Sequence, residues 1–223
     1  MHNFLSKISQ LDSIHDVILL SPGGEPLFVR SAAASPEVER EIVRWNLIIA
    51  RLARPLAAEL IFKSGRYYLH DTALGYVIVG MTTTRNLGTV RTACINVREK
   101  LADAAVRKRV VLKMMADADE SVKPRLIKAL VSLADGEVAS ILTALLRKEE
   151  QFAPQHKEKL LLSICEALGH CSSHEALEAL NDFLGKYGAT QGLLSDAVDM
   201  TARISIQRTL FGNNCRRWLR SGK

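Results

Sequence analysis

Histidines, cysteines, carboxylates and arginines are the residues of this 223-residue chain that could do chemistry, and their spacing limits what each can do. His170-Cys171 and His174 stand near Cys165, the nearest approach to a metal-ligand cluster. No second cluster completes four ligands at a zinc-like spacing, so no metal is expected. The four cysteines (Cys94, Cys165, Cys171, Cys215) show no paired spacing and read as reduced, mostly buried thiols. His15 and His70 fall in strand-like runs, where a histidine is more often structural than a base. Ser21-Pro22-Gly23-Gly24-Glu25 lacks the Gly-Lys-Ser/Thr ending that grips phosphate. Glu99, Asp103, Glu149 and Glu150 sit in amphipathic helical patterns, as residues of a wet face. No nucleophile and base share a recognisable local spacing. The expectation is a non-enzyme with no cofactor and no small-molecule substrate.

The elements that would position these residues begin with a hairpin. Arg66 to Thr72 turns through Ala73-Leu74-Gly75 and returns as Tyr76 to Met81, rich in β-branched and aromatic residues. A helix follows, with Leu87, Val90, Cys94, Val97 and Leu101 at three- and four-residue steps. Before it, His2 to Leu11 is a short helical stretch. Ile14 to Ser21 is a strand whose continuous apolar run predicts burial on both faces, and Leu27 to Arg30 returns beside it. Ser35-Pro36-Glu37 opens a second helix with a cap, a proline in the first turn and an acid at the positive end of the dipole.

That helix carries Val38, Ile42, Trp45, Ile49 and Leu52 at a/d spacing until Pro55. Val43, Leu47 and Ala50 make a second apolar face. One face suffices for a surface helix, so the second predicts a partner chain. Arg40, Arg44, Arg51 and Arg54 line one side, as a solvated or salt-bridged stripe with some of it at a dimer seam. Leu60 to Lys63 is a third strand, and the order is helix, two strands, helix, three strands, helix.

From Gly88 to Arg125 the only helix breaker is Pro124, and beyond it the chain reads as helical almost throughout. Lys128 to Glu137 aligns with Glu166 to Glu175 at an offset of 38 residues, and Leu142, Leu146 and Lys148 fall on Leu180, Leu184 and Lys186. Helix pairs repeating near 40 residues are the pattern of an α-solenoid. Leu193 to Trp218 would cap the stack through Ala197, Ile204 and Leu210. The expected division is an α+β domain over 1–104 and an all-α domain over 105–223.

The formal charge is +6, and no acid follows Asp199 while six basic residues do. Without those six, 24 basic residues face 24 acidic ones, so the tail reads as a solvated terminus and no nucleic-acid partner is expected. No apolar run approaches the roughly 20 residues of a membrane span, and the N-terminus lacks a signal-peptide layout. A cytoplasmic location is the expectation.

Leu11–Leu101 resembles the roadblock (dynein light chain) family, of the bacterial MglB-like kind. The likeness is carried by Asp16 to Ser21 with Gly24 in the turn, the long helix after Ser35, and Tyr76-Val77-Ile78-Val79 leading to Asn86-Leu87-Gly88. Ile164 to Gly169 followed by His174-Glu175-Ala176-Leu177 resembles a HEAT repeat. The first resemblance implies a five-stranded antiparallel, roadblock/profilin-like sheet and a homodimer paired through the second helix and third strand. Val38, Arg40, Ile42, Arg44, Trp45, Leu47, Ile49 and Arg51 are the expected interface residues. It also implies a small Ras-like GTPase as partner, regulated or scaffolded without catalysis by this chain. An arginine of the second helix stabilising phosphoryl transfer is the bolder variant. The HEAT-like extension departs from the minimal domain and suggests the alternative, an adaptor that binds a protein or peptide with no GTPase.

Overall fold

The apolar runs Val17–Leu20 and Tyr76–Met81 lack the polar alternation of a one-sided sheet, and such strands need cover on both faces. The computed structural model, which describes residues 5–31, 35–63, 65–187, 198 and 201–211, supplies it. Strands β1 (Ile14–Leu20), β2 (Pro26–Arg30), β3 (Ala57–Phe62), β4 (Gly65–Thr72) and β5 (Gly75–Met81) form one antiparallel sheet in the order β2-β1-β5-β4-β3. Between β1 and β5 the register slips at His15, where Ile14 faces Met81 and Asp16 faces Gly80. Two glycines set the turns. Gly24 (φ +82°) lies so close to Asn46 that a Cβ would collide with its amide, which donates to Gly24 O at 2.9 Å. Gly75 (φ +110°) lies against Leu20 O.

α1 (Ser6–Ser9) precedes β1, and α2 (Ser35–Arg51) covers one face of the sheet. Its Trp45 and Ile49 pack among Ile18, Leu20, Tyr67, Leu69, Tyr76 and Ile78, with Ile42 and Ile48 at the margin. Each fully buried side chain of this size contributes about 1.5–3 kcal/mol. Alternate residues Tyr68 and His70 turn the other way, toward α3 (Leu87–Ala102), whose Val90, Cys94, Val97 and Leu101 are buried.

α3 does not run on as its periodicity suggests. Asp103 is extended, and its Oδ1 accepts from Ala105 N (2.7 Å) and Val106 N (3.1 Å), capping α4 (Ala104–Asp117). Arg107 Nη1 donates back to Leu101 O at 2.9 Å and covers the carbonyl end of α3. The chain divides into two compact units, Met1–Asp117, which includes α4, and Ala118–Lys223.

The second unit is helical. It holds α5 (Lys123–Val131), α6 (Gly136–Leu146), a 3-10 turn (Glu149–Gln151), α7 (Pro154–Cys171), α8 (His174–Tyr187) and a helix over 201–211. The offset of 38 recurs in three dimensions. Asp135 caps α6 by accepting from Val138 N, and Ser173, 38 residues on, caps α8 by accepting from Ala176 N. Ile127 and Cys165, Leu130 and Leu168, Val138 and Ala176, and Leu142 and Leu180 are equivalent pairs, all fully buried.

The helix over 201–211 corrects one expectation. Ile204 and Leu210 are exposed, and the buried residues are Ala202, Ser205 and Thr209; Ala197 lies outside the described residues. Ser205 sits against Gly169, where a Cβ would clash, so small residues set this close approach and leave the larger ones outside. Among the described residues, no helix is long and apolar enough to cross a membrane.

Candidate interaction site

α2 has three sides, and each does something different. Trp45 and Ile49 belong to the core of their own subunit, and Ile42 lies at its margin, so these three expected interface residues leave little surface for a partner. Leu47 is 59% exposed, and Val43, four residues before it, is 62% exposed. Arg40, Arg44 and Arg51 are exposed. The side chain of Val38 lies outside the described residues.

β3 pairs with β4 alone, so its outer N–H and C=O groups face away from any strand of the described chain. β2, the other edge, begins with Pro26 and ends with Arg30, two residues that discourage strand addition. β3 has no such guard. Its single charge, Glu59, is taken by Arg91 (3.0 Å) and Arg66 (3.7 Å), while Ile61 and Phe62 are 66% and 41% exposed. Before β3 the backbone is strained: Ala53 and Arg54 are both left-handed (φ 53° and 55°), and Tyr76 Oη donates to Pro55 O at 3.1 Å.

Between α2 and the β3–β4 hairpin lies a cleft of about 120 Å³, lined by Glu41, Arg44, Trp45, Ile48, Phe62 and Tyr67. The ring centroids of Trp45 and Tyr67 are 4.9 Å apart, those of Phe62 and Tyr67 5.7 Å, and those of Trp45 and Phe62 6.0 Å. Glu41 Oε2 is buried without a hydrogen-bond donor, and burial raises the pKa of its carboxyl, with Asp16 adding to the effect. Asp16 is itself engaged: Ser31 Oγ donates to its Oδ1 (2.5 Å), and His15 Nδ1 lies 2.7 Å from its Oδ2. His15 also meets the Tyr67 ring edge-on. Among the described residues no serine hydroxyl is bonded to this imidazole, so the group is not a Ser-His-Asp triad.

The other sequence candidates are dispersed. His70 is 3% exposed, lies 3.3 Å from Tyr68 Oη through Nδ1, and has no partner at Nε2; burial first, then Arg98, lowers its pKa. Cys94, Cys165 and Cys171 are buried free thiols, each pushed up to about 12 by desolvation, too high for a nucleophile. His170 accepts from Arg208 Nη1 (3.2 Å), and His174 Nε2 lies 3.2 Å from Glu178. Among the described residues, no three His, Cys, Asp or Glu side chains converge as metal ligands. Cys215 lies outside them.

Glu41, Ile61 and Phe62 gain a role only in the fold. Two large apolar residues in succession on a strand were the available signal, since one of them must face each side of the sheet. No protein-family model, curated protein or solved structure matches the chain.

Proposed function

We propose that the first unit is a roadblock-type, profilin-like domain that forms a homodimer, and that the dimer regulates or scaffolds a small Ras-like GTPase without catalysing a reaction itself. The observation that carries this reading is that the same unit leaves both a face of α2, Val43 and Leu47, and the β3 edge uncovered. A second copy adding its β3 to that edge would satisfy the open backbone groups and bury the apolar side chains together. The arginines of α2 would then lie on or beside the seam. The cytoplasm is the compartment this reading implies.

Leu47→Asp tests the dimer directly, because the exposed Leu47 tolerates a charge in a monomer and not at an apolar seam. Sedimentation equilibrium should give twice the monomer mass for the parent and the monomer mass for the variant. A parent that stays monomeric at high concentration removes the reading. Pull-down with small GTPases, and GTP hydrolysis with and without the chain, test the partner.

The second reading is an adaptor whose HEAT-like helices bind a peptide. A cleft of about 190 Å³ favours it, lined by Leu146, Ala179 and Phe183 between the charged Arg147, Asp182 and Lys186. Peptide capture abolished by a charge reversal at the exposed Asp182, Asp182→Lys, with GTP hydrolysis unaffected, would select this reading over the first.

A further inference from the structure

We propose that the cleft between α2 and the β3–β4 hairpin binds a basic protein side chain, its guanidinium or ammonium group held by Glu41 against the ring of Phe62. The size of the cleft is the first reason. About 120 Å³ is too small for a nucleotide or a drug-sized ligand, whose pockets run to roughly 300–1,000 Å³, and sufficient for one charged head group. Charge is the second. Glu41 brings a carboxylate with one oxygen buried and undonated, and Asp16 adds negative potential behind it. Both Asp16 oxygens are occupied by Ser31 and His15, whereas Glu41 Oε2 has no donor and its charge is offset only through the fields of His15 and Arg44.

The aromatic wall is the third reason. Trp45, Phe62 and Tyr67 stack too closely for an ion to enter between them, but Phe62 keeps 41% of its surface open, and an open ring beside a carboxylate attracts a cation. An anion would meet Glu41 and Asp16 at short range, and an apolar ligand would seal Glu41 in without a donor. Arg44 lines the same cleft, yet forms no ion pair with Glu41 and is exposed. It competes weakly for the site and leaves it available. The inference goes beyond the dimer reading and does not depend on it.

The test uses the full chain and Leu47→Asp, in which the cleft is open whether or not the parent self-associates. Each is titrated with N-acetyl-argininamide, and separately with its neutral isostere N-acetyl-citrullinamide, while the Trp45 indole resonance is followed. A saturable shift with the arginine compound alone is expected. Glu41→Gln should weaken it about tenfold, the scale of a lost charge-assisted contact, while Arg44→Gln should bind at least as tightly as its parent. Affinity should fall as pH drops through the raised titration of Glu41, a group facing His15 and Asp16 from β1 and Glu37 and Arg44 from α2.

Equal binding of the citrulline compound, full binding by Glu41→Gln, or a loss in Arg44→Gln matching that in Glu41→Gln would overturn the proposal. Glu41→Gln removes a buried charge, so an undiminished melting temperature separates lost binding from lost folding. Where the site holds, sedimentation of Glu41→Gln distinguishes the sources. Weakened self-association places the basic side chain on a second copy, and unchanged self-association places it on another protein.

Discussion

Glu149 in the helical unit and Glu41 in the sheet unit both have carboxylate oxygens withdrawn from water, and the two units treat the charge in opposite ways. Glu149 is 3% exposed in its 3-10 turn and lies between two lysines, Lys157 Nζ 2.8 Å from Oε2 and Lys186 Nζ 2.8 Å from Oε1. The turn is thereby tied to α7 and α8. Glu41 Oε2 has no such donor, and elsewhere in its unit are an exposed apolar helix face, an open strand edge and two left-handed residues. A buried carboxylate held between two lysines from different helices ties those helices together. On the reading proposed above, an undonated carboxylate oxygen, an open edge and exposed apolar side chains are what a partner would cover.

The largest effect that would sharpen this contrast is removal of both lysines. In Lys157→Ala/Lys186→Ala the buried Glu149 loses its counter-charges, and the helical unit should lose about 3 kcal/mol in urea denaturation. A loss under about 1 kcal/mol would mean that Glu149 is solvated after all, and the two carboxylates would no longer differ in kind. Next comes the strained corner of the sheet unit. Ala53→Gly relieves a left-handed alanine at the cost of glycine's extra chain entropy, so a gain of about 0.5 kcal/mol is expected at the same readout. A destabilised variant would show that the corner is not strained.

The smallest effect is on the pH dependence. Glu41's pKa is higher in the folded chain than in the unfolded one, so the folded state binds more protons and stability falls as pH rises through the window between them. His70 works in the reverse sense: its pKa is lower in the folded chain, so stability falls as pH drops through the ordinary histidine range. Glu41→Gln should erase the first slope and leave the second. Partial solvation of Glu41 keeps that change small. Parallel profiles for parent and variant would mean that Glu41 titrates normally.

Several elements were legible in the residues alone. The run Val17–Leu20 announced a strand buried on both faces, and all four residues are buried, with α2 packed on Ile18 and Leu20. The offset of 38 aligned Asp135 with Ser173, and in the structure each caps the helix that follows it. The break at Asp103 escaped, because an aspartate in an amphipathic pattern looks the same whether it faces water or caps the next helix. Ile204 and Leu210 were assigned inward for their size, when the close approach of Gly169 and Ser205 left room only for small groups.

Periodicity, capping residues and repeats are local quantities, written into neighbouring positions, and they determined which segments are helices and strands and which sides are apolar. Which apolar side is used at home was a different matter. Trp45 and Ile49 took the core and Val43 and Leu47 stayed outside because a helix lying on one face of a sheet buries only the side that meets it. Strand order, and with it the position of Glu41 beside Phe62, arises from contacts between distant parts of the chain, and only the tertiary structure decides them.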